Sequence, residues 1–224
     1  MSNKVIVPVK YFIYFSLGAT LLWLLFFDVY KVETGSMIPS IRPIGYIFIL
    51  KYSFLSPEID KNSIYVFEKS EKKKTFNNNK IYVKRCIAVA GDTLVIKKEG
   101  LDQKYPSKIK DSSLSLCFPH NKLFNWKPNE FGPIWLPRKG DTISLNEKNF
   151  ILYEGIIKDE GNNLVKVSDK VFTVNGIQKK YYIFKENYYF MLGDNFYESE
   201  DSREFGPISR KNIRGKVFYI MGPF

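Results

Sequence analysis

The chain has 224 residues, 45% hydrophobic and 17% aromatic, with a formal net charge of +11. That composition suits one good-sized domain, or one domain with a smaller insertion, and excludes a disordered chain. Two cysteines, Cys86 and Cys117, and a single histidine, His120, exclude a four-ligand Cys/His zinc site, and nothing in the sequence asks for a metal or an organic cofactor.

Residues 1–10 carry Lys4 and Lys10 and read as a short cytoplasmic N-terminus. From Tyr11 to Phe27 there are 17 residues without a charge, at the lower end of what spans a bilayer. Tyr11, Tyr14, Trp23 and Tyr30 flank this run as interfacial aromatics do. A cleaved secretory signal and a buried core helix are the alternatives. The run is longer than a usual signal core, however, and no Ala-x-Ala site follows it. We therefore expect a single-pass transmembrane anchor over 11–30. Lys4, Lys10 and the amino terminus place its start inside the cell, and residues 31–224 form an extracytoplasmic, periplasmic domain in the cell (inner) membrane.

Beyond Asp28 the pattern changes to short strands and turns. Thr34-Gly35-Ser36-Met37-Ile38-Pro39-Ser40 combines a small-residue turn, a serine, an apolar residue that can pack and a proline that ends regular structure. Taken alone it reads as a surface turn. Strands are expected over 45–50, 63–67, 81–90 and 93–96. Lys72-Lys73-Lys74 beside Asn77-Asn78-Asn79 reads as a solvated loop tip. The positive charge therefore points to anionic lipid headgroups and not to nucleic acid.

Residues 100–140 are Pro-rich and irregular. A short helix is expected over 150–157, a hairpin around Asn175-Gly176 running through to Phe184, and strands over 188–192 and 213–221. The fold class is mainly β, with an N-terminal transmembrane helix and a smaller inserted lobe over 100–187. Cys86 and Cys117 could form a disulfide outside the cytoplasm, but Cys86 reads as a small core residue. His120, in a loop-like Pro/Asn context, is a poor base for any serine.

Two further stretches change the reading of Ser36. Along 81–90 the strand is apolar on both faces, and Tyr82, Cys86, Ala88 and Ala90 share a face with Lys84. An ammonium there is disfavoured by desolvation, and a neutral lysine near pH 7–8 is a usable general base. A snorkelling lysine or a structural ion pair is the alternative, and Arg85 invites the same question. Gly193-Asp194-Asn195 through Glu200-Asp201-Ser202-Arg203-Glu204 packs turn formers, hydroxyls and an Asp/Arg pair into one loop held in one shape.

In this order the three stretches resemble the type I signal peptidase family, membrane-bound Ser/Lys proteases. The resemblance spans most of the chain. Phe131-Gly132-Pro133-Ile134-Trp135-Leu136-Pro137 is similar to an insertion of a Bacteroidetes-type branch.

The resemblance implies a serine endopeptidase that removes signal peptides from exported preproteins, with small residues at substrate positions −1 and −3. It implies Ser36 as nucleophile and Lys84 as general base, with the Ser36 N–H and Thr34 hydroxyl as oxyanion hole. Ser199 would orient the Lys84 amine, while Asp201, Ser202 and Arg203 would hold the loop. The substrate would add as an extended strand, with Val32, Met37, Ile41, Tyr82 and Val83 lining its site. Preproteins and membrane lipids are the implied partners, and the enzyme would be a monomer. A maturation peptidase with dedicated substrates, and an inactive membrane-tethered binding domain, are the alternatives. The sequence departs from the family pattern at Glu33, at Asp60-Lys61-Asn62 and at Glu204. Only eight residues separate Asp28 from Ser36, a reach of roughly 26–29 Å, so Ser36 would work near the membrane surface.

Overall fold

A computed structural model describes residues 3–51, 58–70, 79–97 and 117–222. The lysine cluster at 72–74 and much of the Pro-rich stretch lie outside the described residues.

The chain opens with helix α1, Asn3–Phe26, whose side chains are described from Lys10 onward. Among the described residues no helix is long and apolar enough to cross a membrane. The helix stops at Phe26, short of the expected residue 30, because the next five residues are strand β1, Phe27–Lys31. Its backbone pairs antiparallel with β2, Tyr46–Lys51, in the register Phe27↔Leu50 to Lys31↔Tyr46. Lys51 fixes the junction. Its Nζ donates to the Leu24 carbonyl at 2.8 Å and lies 3.0 Å from the Asp28 carboxylate, so one cation caps the helix end and neutralises the first acid after it.

The strands expected at 63–67 and 81–90 are β3, Ile64–Ser70, and β4, Asn79–Ala88. With β12, Tyr188–Leu192, β13, Ile208–Ser209, and β14, Ile213–Met221, they complete a seven-stranded sheet in the order β1-β2-β14-β3-β4-β12-β13. Every neighbouring pair in it is antiparallel. Along β4 the side chains alternate as expected. Tyr82, Lys84, Cys86 and Ala88 are buried, while Val83, Arg85 and Ile87 are half-buried on the other face. Cys86 is fully buried, and both cysteines are free thiols, not a disulfide.

The remaining elements form smaller sheets. Strand β5, Thr93–Ile96, pairs with β6, Phe131–Trp135, so the chain leaves the large sheet before residue 100. Strand β7, Thr142–Ser144, precedes helix α2, Glu147–Asp159, which extends the expected helix by a turn and is capped by the Asn146 side chain. Strands β8, Leu164–Ser168, β9, Val171–Val174, and β10, Ile177–Lys179, make a three-stranded sheet.

The hairpin turns at Asn175-Gly176, where both residues have positive φ, 53° and 80°, as a tight two-residue turn requires. It does not run on to Phe184. Strand β11, Tyr181–Ile183, leaves it and pairs with β7. A core of Ile143, Leu152, Ile157, Phe172 and Phe184 fills this lobe, with Tyr188 of the large sheet joining it.

Gly215 marks the tightest strand contact. A Cβ there would fall inside contact distance of the Leu50 carbonyl carbon and oxygen. The backbone of a central strand pair cannot yield to it. Gly215→Ala is therefore expected to destabilise the domain by about 1–3 kcal/mol, measured by denaturant unfolding.

Candidate active site

Ser36 sits in a turn that the core holds down. Val32 N–H donates to the Gly45 carbonyl and Ile44 N–H to the Val32 carbonyl, both at 2.8 Å. Met37 and Ile41 are each 1% exposed, and they pack with Val32, Ile47, Ile49 and Val66. Val32, Met37 and Ile41 are thus core residues that anchor the turn, not the lining of an open pocket. The turn closes through Ile38 N–H to the Gly35 carbonyl and Ile41 N–H to the Met37 carbonyl.

Lys84 reaches this turn from β4. Its Nζ lies 2.6 Å from Ser36 Oγ, in a buried hydrogen bond, and its side chain is almost wholly enclosed, at 3% exposure. Burial pushes the amine down to about 8; Asp201 and Glu200 pull it up, while Lys80 and Arg203 push it further down. A lysine so placed is neutral in about a tenth of molecules at pH 7 and about half at pH 8, enough to accept a proton from a neighbouring hydroxyl. Thr34 Oγ1 lies 3.4 Å from Ser36 Oγ, so the two hydroxyls stand side by side.

The polar loop is locked as its composition predicts. Helix α3, Ser202–Phe205, begins at the N-cap Asp201. The Asp201 carboxylate takes Arg203 Nε and Nη2, each at 2.9 Å, together with the N–H groups of Arg203 and Gly193. Arg203 also donates to the Phe196 carbonyl and stacks 3.8 Å from the Phe196 ring centroid. Ser202 Oγ accepts from Met191 N–H at 3.0 Å.

The bond expected from Ser199 to Lys84 is not formed. Among the described residues, Ser199 Oγ is buried without a hydrogen-bond partner. Its side chain lies directly against Gly193, where a Cβ would collide with it and come within 2.7 Å of the Ser36 carbonyl oxygen. The hydroxyl is therefore wedged beside the Ser36 turn and makes no hydrogen bond to the amine.

Several residues without an assigned role prove to build the site. Asn195 N–H donates to the Ser36 carbonyl at 3.0 Å, and Asn195 Nδ2 to the Gly35 carbonyl at 3.1 Å. Arg85, next to Lys84 on the other face of β4, makes a two-pronged pair with Asp194 at 2.7 and 2.6 Å and reaches Ser40 Oγ at 3.1 Å. Gly193-Asp194-Asn195 signalled only a turn in the sequence; its reach across to residues 35–40 is tertiary. Tyr82 is buried and Val83 half-buried, both on β4. His120 is exposed, and its Nε2 lies 2.8 Å from the Glu204 carbonyl.

The family description "Signal peptidase, peptidase S26" matches residues 6–112 and 136–221. Three named relatives show the same breadth. A signal peptidase I of Aquifex aeolicus is 26% identical over 206 residues, covering 86% of this chain and 75% of that protein. One from Buchnera aphidicola subsp. Baizongia pistaciae is 26% identical over 221 residues, covering 86% and 69%. One from Haemophilus influenzae is 23% identical over 230 residues, covering 87% and 63%.

Removing the cation of the loop lock leaves a carboxylate with no solvent access. Arg203→Met is expected to cost about 3–5 kcal/mol of stability, as unpairing a buried charge does. Arg203→Lys should recover only part of this, because a lysine cannot reproduce the two-pronged geometry. Urea unfolding of both variants measures the difference.

Proposed function

Because the chain belongs to the signal peptidase family, peptidase S26, we propose that it is a membrane-anchored signal peptidase I in which Ser36 is the nucleophile and Lys84 the general base. The observation that carries the assignment of residues is the buried 2.6 Å contact between Lys84 Nζ and Ser36 Oγ.

The neutral amine takes the hydroxyl proton as Oγ attacks the carbonyl carbon of the scissile bond. The new C–O bond leaves negative charge on the carbonyl oxygen, met by the Ser36 N–H and the Thr34 hydroxyl. Such donors are each worth about 10²–10³ in rate. The ammonium then protonates the leaving amine as the C–N bond breaks, leaving an ester on Ser36. Lys84, neutral again, deprotonates the water that hydrolyses it.

The substrate binds as an added strand on β4. On one side Ile81–Lys84 pairs with β3, while β12 meets β4 only from Arg85 onward. Among the described residues no strand occupies the second edge of Ile81–Lys84, which lies beside Ser36. A signal peptide with small residues at positions −1 and −3 fits there as a main-chain ladder.

Helix α1 is the anchor, with the N-terminus cytoplasmic and the peptidase domain outside. This rests on the uncharged run from Tyr11 to Phe27 and on the exposure of Phe12, Phe15, Leu17, Leu21 and Leu24. After alkaline carbonate washing the full chain should remain in the membrane pellet; release into the supernatant would refute the anchor.

Ser36→Ala and Lys84→Ala are each expected to lower cleavage of a preprotein with an Ala-x-Ala site by about 10³-fold or more, with the folded β structure retained by circular dichroism. For the wild type the sign of the pH effect follows from the base. Protonated Lys84 cannot accept the proton, so kcat/KM should fall as pH drops through about 8, by about tenfold per pH unit well below it.

A further inference from the structure

One cluster beside the site has no part in the steps above. Lys80, Tyr82 and Lys84 are spaced two apart on β4 and stand in a row on one face. Glu200 closes over the end of this row away from Ser36. Its Oε2 accepts from Lys80 Nζ at 2.5 Å and its Oε1 from the Tyr82 hydroxyl at 2.9 Å. The Tyr82 ring lies between the two cations. Lys80 Nζ is 5.0 Å and Lys84 Nζ 5.9 Å from its centroid. The ring is itself fixed, stacked on Phe67 at 5.6 Å and packed on Phe205 at 5.2 Å. Glu200 also immediately precedes Asp201, whose carboxylate is locked, so its backbone is held in place.

We propose that Lys80 and Glu200 are positioning residues for the reaction: an opposed pair of charges, tied through the Tyr82 hydroxyl to the strand that carries the base, which sets the electrostatic field at the Lys84 amine. This deepens the Ser36/Lys84 reading and rests on it.

The surroundings of Lys84 leave this pair as the adjustable part of the field. From the loop, Asp201 and Arg203 form a buried pair at 2.9 Å whose opposite charges offset each other only in part, Asp201 acting more strongly on Lys84, and which is fixed in place by its own hydrogen bonds. Across β3 the facing residue is Tyr65, an uncharged side chain. From β12, Met191 is apolar, and on β4 itself burial pushes the Cys86 thiol up to about 12, so it too stays uncharged. Lys80 and Glu200 remain, acting on Lys84 in opposite directions.

Glu200 keeps its charge through the working range. Burial works against it, but hydrogen bonds from Lys80 and Tyr82 and the charges of Lys80 and Lys84 together hold it below the usual carboxylate range. Removing either partner therefore unmasks the other, and the two removals have opposite signs.

The test is the pH dependence of kcat/KM between pH 6 and 9.5 for the detergent-solubilised full chain on a peptide with an Ala-x-Ala site. Glu200→Gln keeps an acceptor for the Tyr82 hydroxyl but loses the charge. Its acidic limb should move to lower pH, raising kcat/KM at pH 7 by about threefold, the factor a half-unit displacement makes below the limb. Lys80→Met should move the limb the other way and lower kcat/KM at pH 7 by a similar factor. The double variant should return close to wild type, and 1 M salt should shrink both displacements, since the pair is exposed.

Displacement of both limbs in one direction would overturn the proposal and leave a structural clamp. A uniform loss at every pH with the limb in place would do the same. If Glu200→Gln fails to fold, the direction of the Lys80→Met displacement decides alone. Cleavage that survives in Lys84→Ala would instead overturn the Ser/Lys reading itself, a failure visible apart from either charge variant.

Discussion

A lysine amine shut away from water and 2.6 Å from a serine hydroxyl is the constraint to which the rest of this fold answers. An amine lowered from 10.5 to about 8 by burial costs the folded state about 3 kcal/mol once pH falls below that value, at 1.36 kcal/mol per unit. Above the unfolded value the cost vanishes, because the amine is then neutral in both states. Near neutral pH the domain thus carries a destabilising group at its centre. That is the usual relation between a functional site and the stability of its host.

Holding that group in register takes ties on both faces of one strand. Lys84 and Arg85 are consecutive, so they point to opposite sides of β4. On one side the amine meets Ser36. On the other, Arg85 binds Asp194 and reaches Ser40, four residues beyond Ser36. Asn195, next to Asp194, then holds the carbonyls of Gly35 and Ser36. The Ser36 turn is gripped at both ends by a loop and a strand that also grip each other. The buried lock of Asp201 on Arg203 and Gly193 N–H keeps the loop from yielding. In the proposed reaction a shift of about 1 Å between Lys84 and Ser36 would break the proton transfer, and this web opposes such a shift.

How much of this was legible depended on whether the signal was local. Lys84 stood out because a charge interrupts one face of an apolar alternation, and that alternation is the observed burial of β4. The Asp201/Arg203 pair was legible because its partners are two residues apart. The seven-strand order was not, since β14 comes to lie between β2 and β3 through pairings that no local pattern encodes. Phe27–Tyr30 falls within the expected anchor because its aromatic and β-branched residues suit a strand and a membrane interface equally well. Met37 and Ile41 looked like pocket residues because they flank the nucleophile, yet their side chains turn inward. Ser199 lacks its expected bond, and Glu200 makes contacts that the sequence does not assign, for a related reason. In a loop of short polar residues, composition says that hydrogen bonds form but not which ones, and a close approach at Gly193 decided the geometry of Ser199.

The strand after the helix also fixes where the chemistry happens. A free tether of eight residues would set only an upper limit on the distance from helix to Ser36. Pairing of Phe27–Lys31 with β2 replaces the tether with a rigid strand of about 16 Å, and the Lys51 contacts to Leu24 and Asp28 fix the helix end to that same strand pair. The Val32 hydrogen bonds to Gly45 and Ile44 then carry the rigid connection on to the turn that holds Ser36. The helix and the nucleophile therefore belong to one continuous hydrogen-bonded frame. In the proposed reaction, distance along that frame sets how far from the helix end a bond can lie and still be cut.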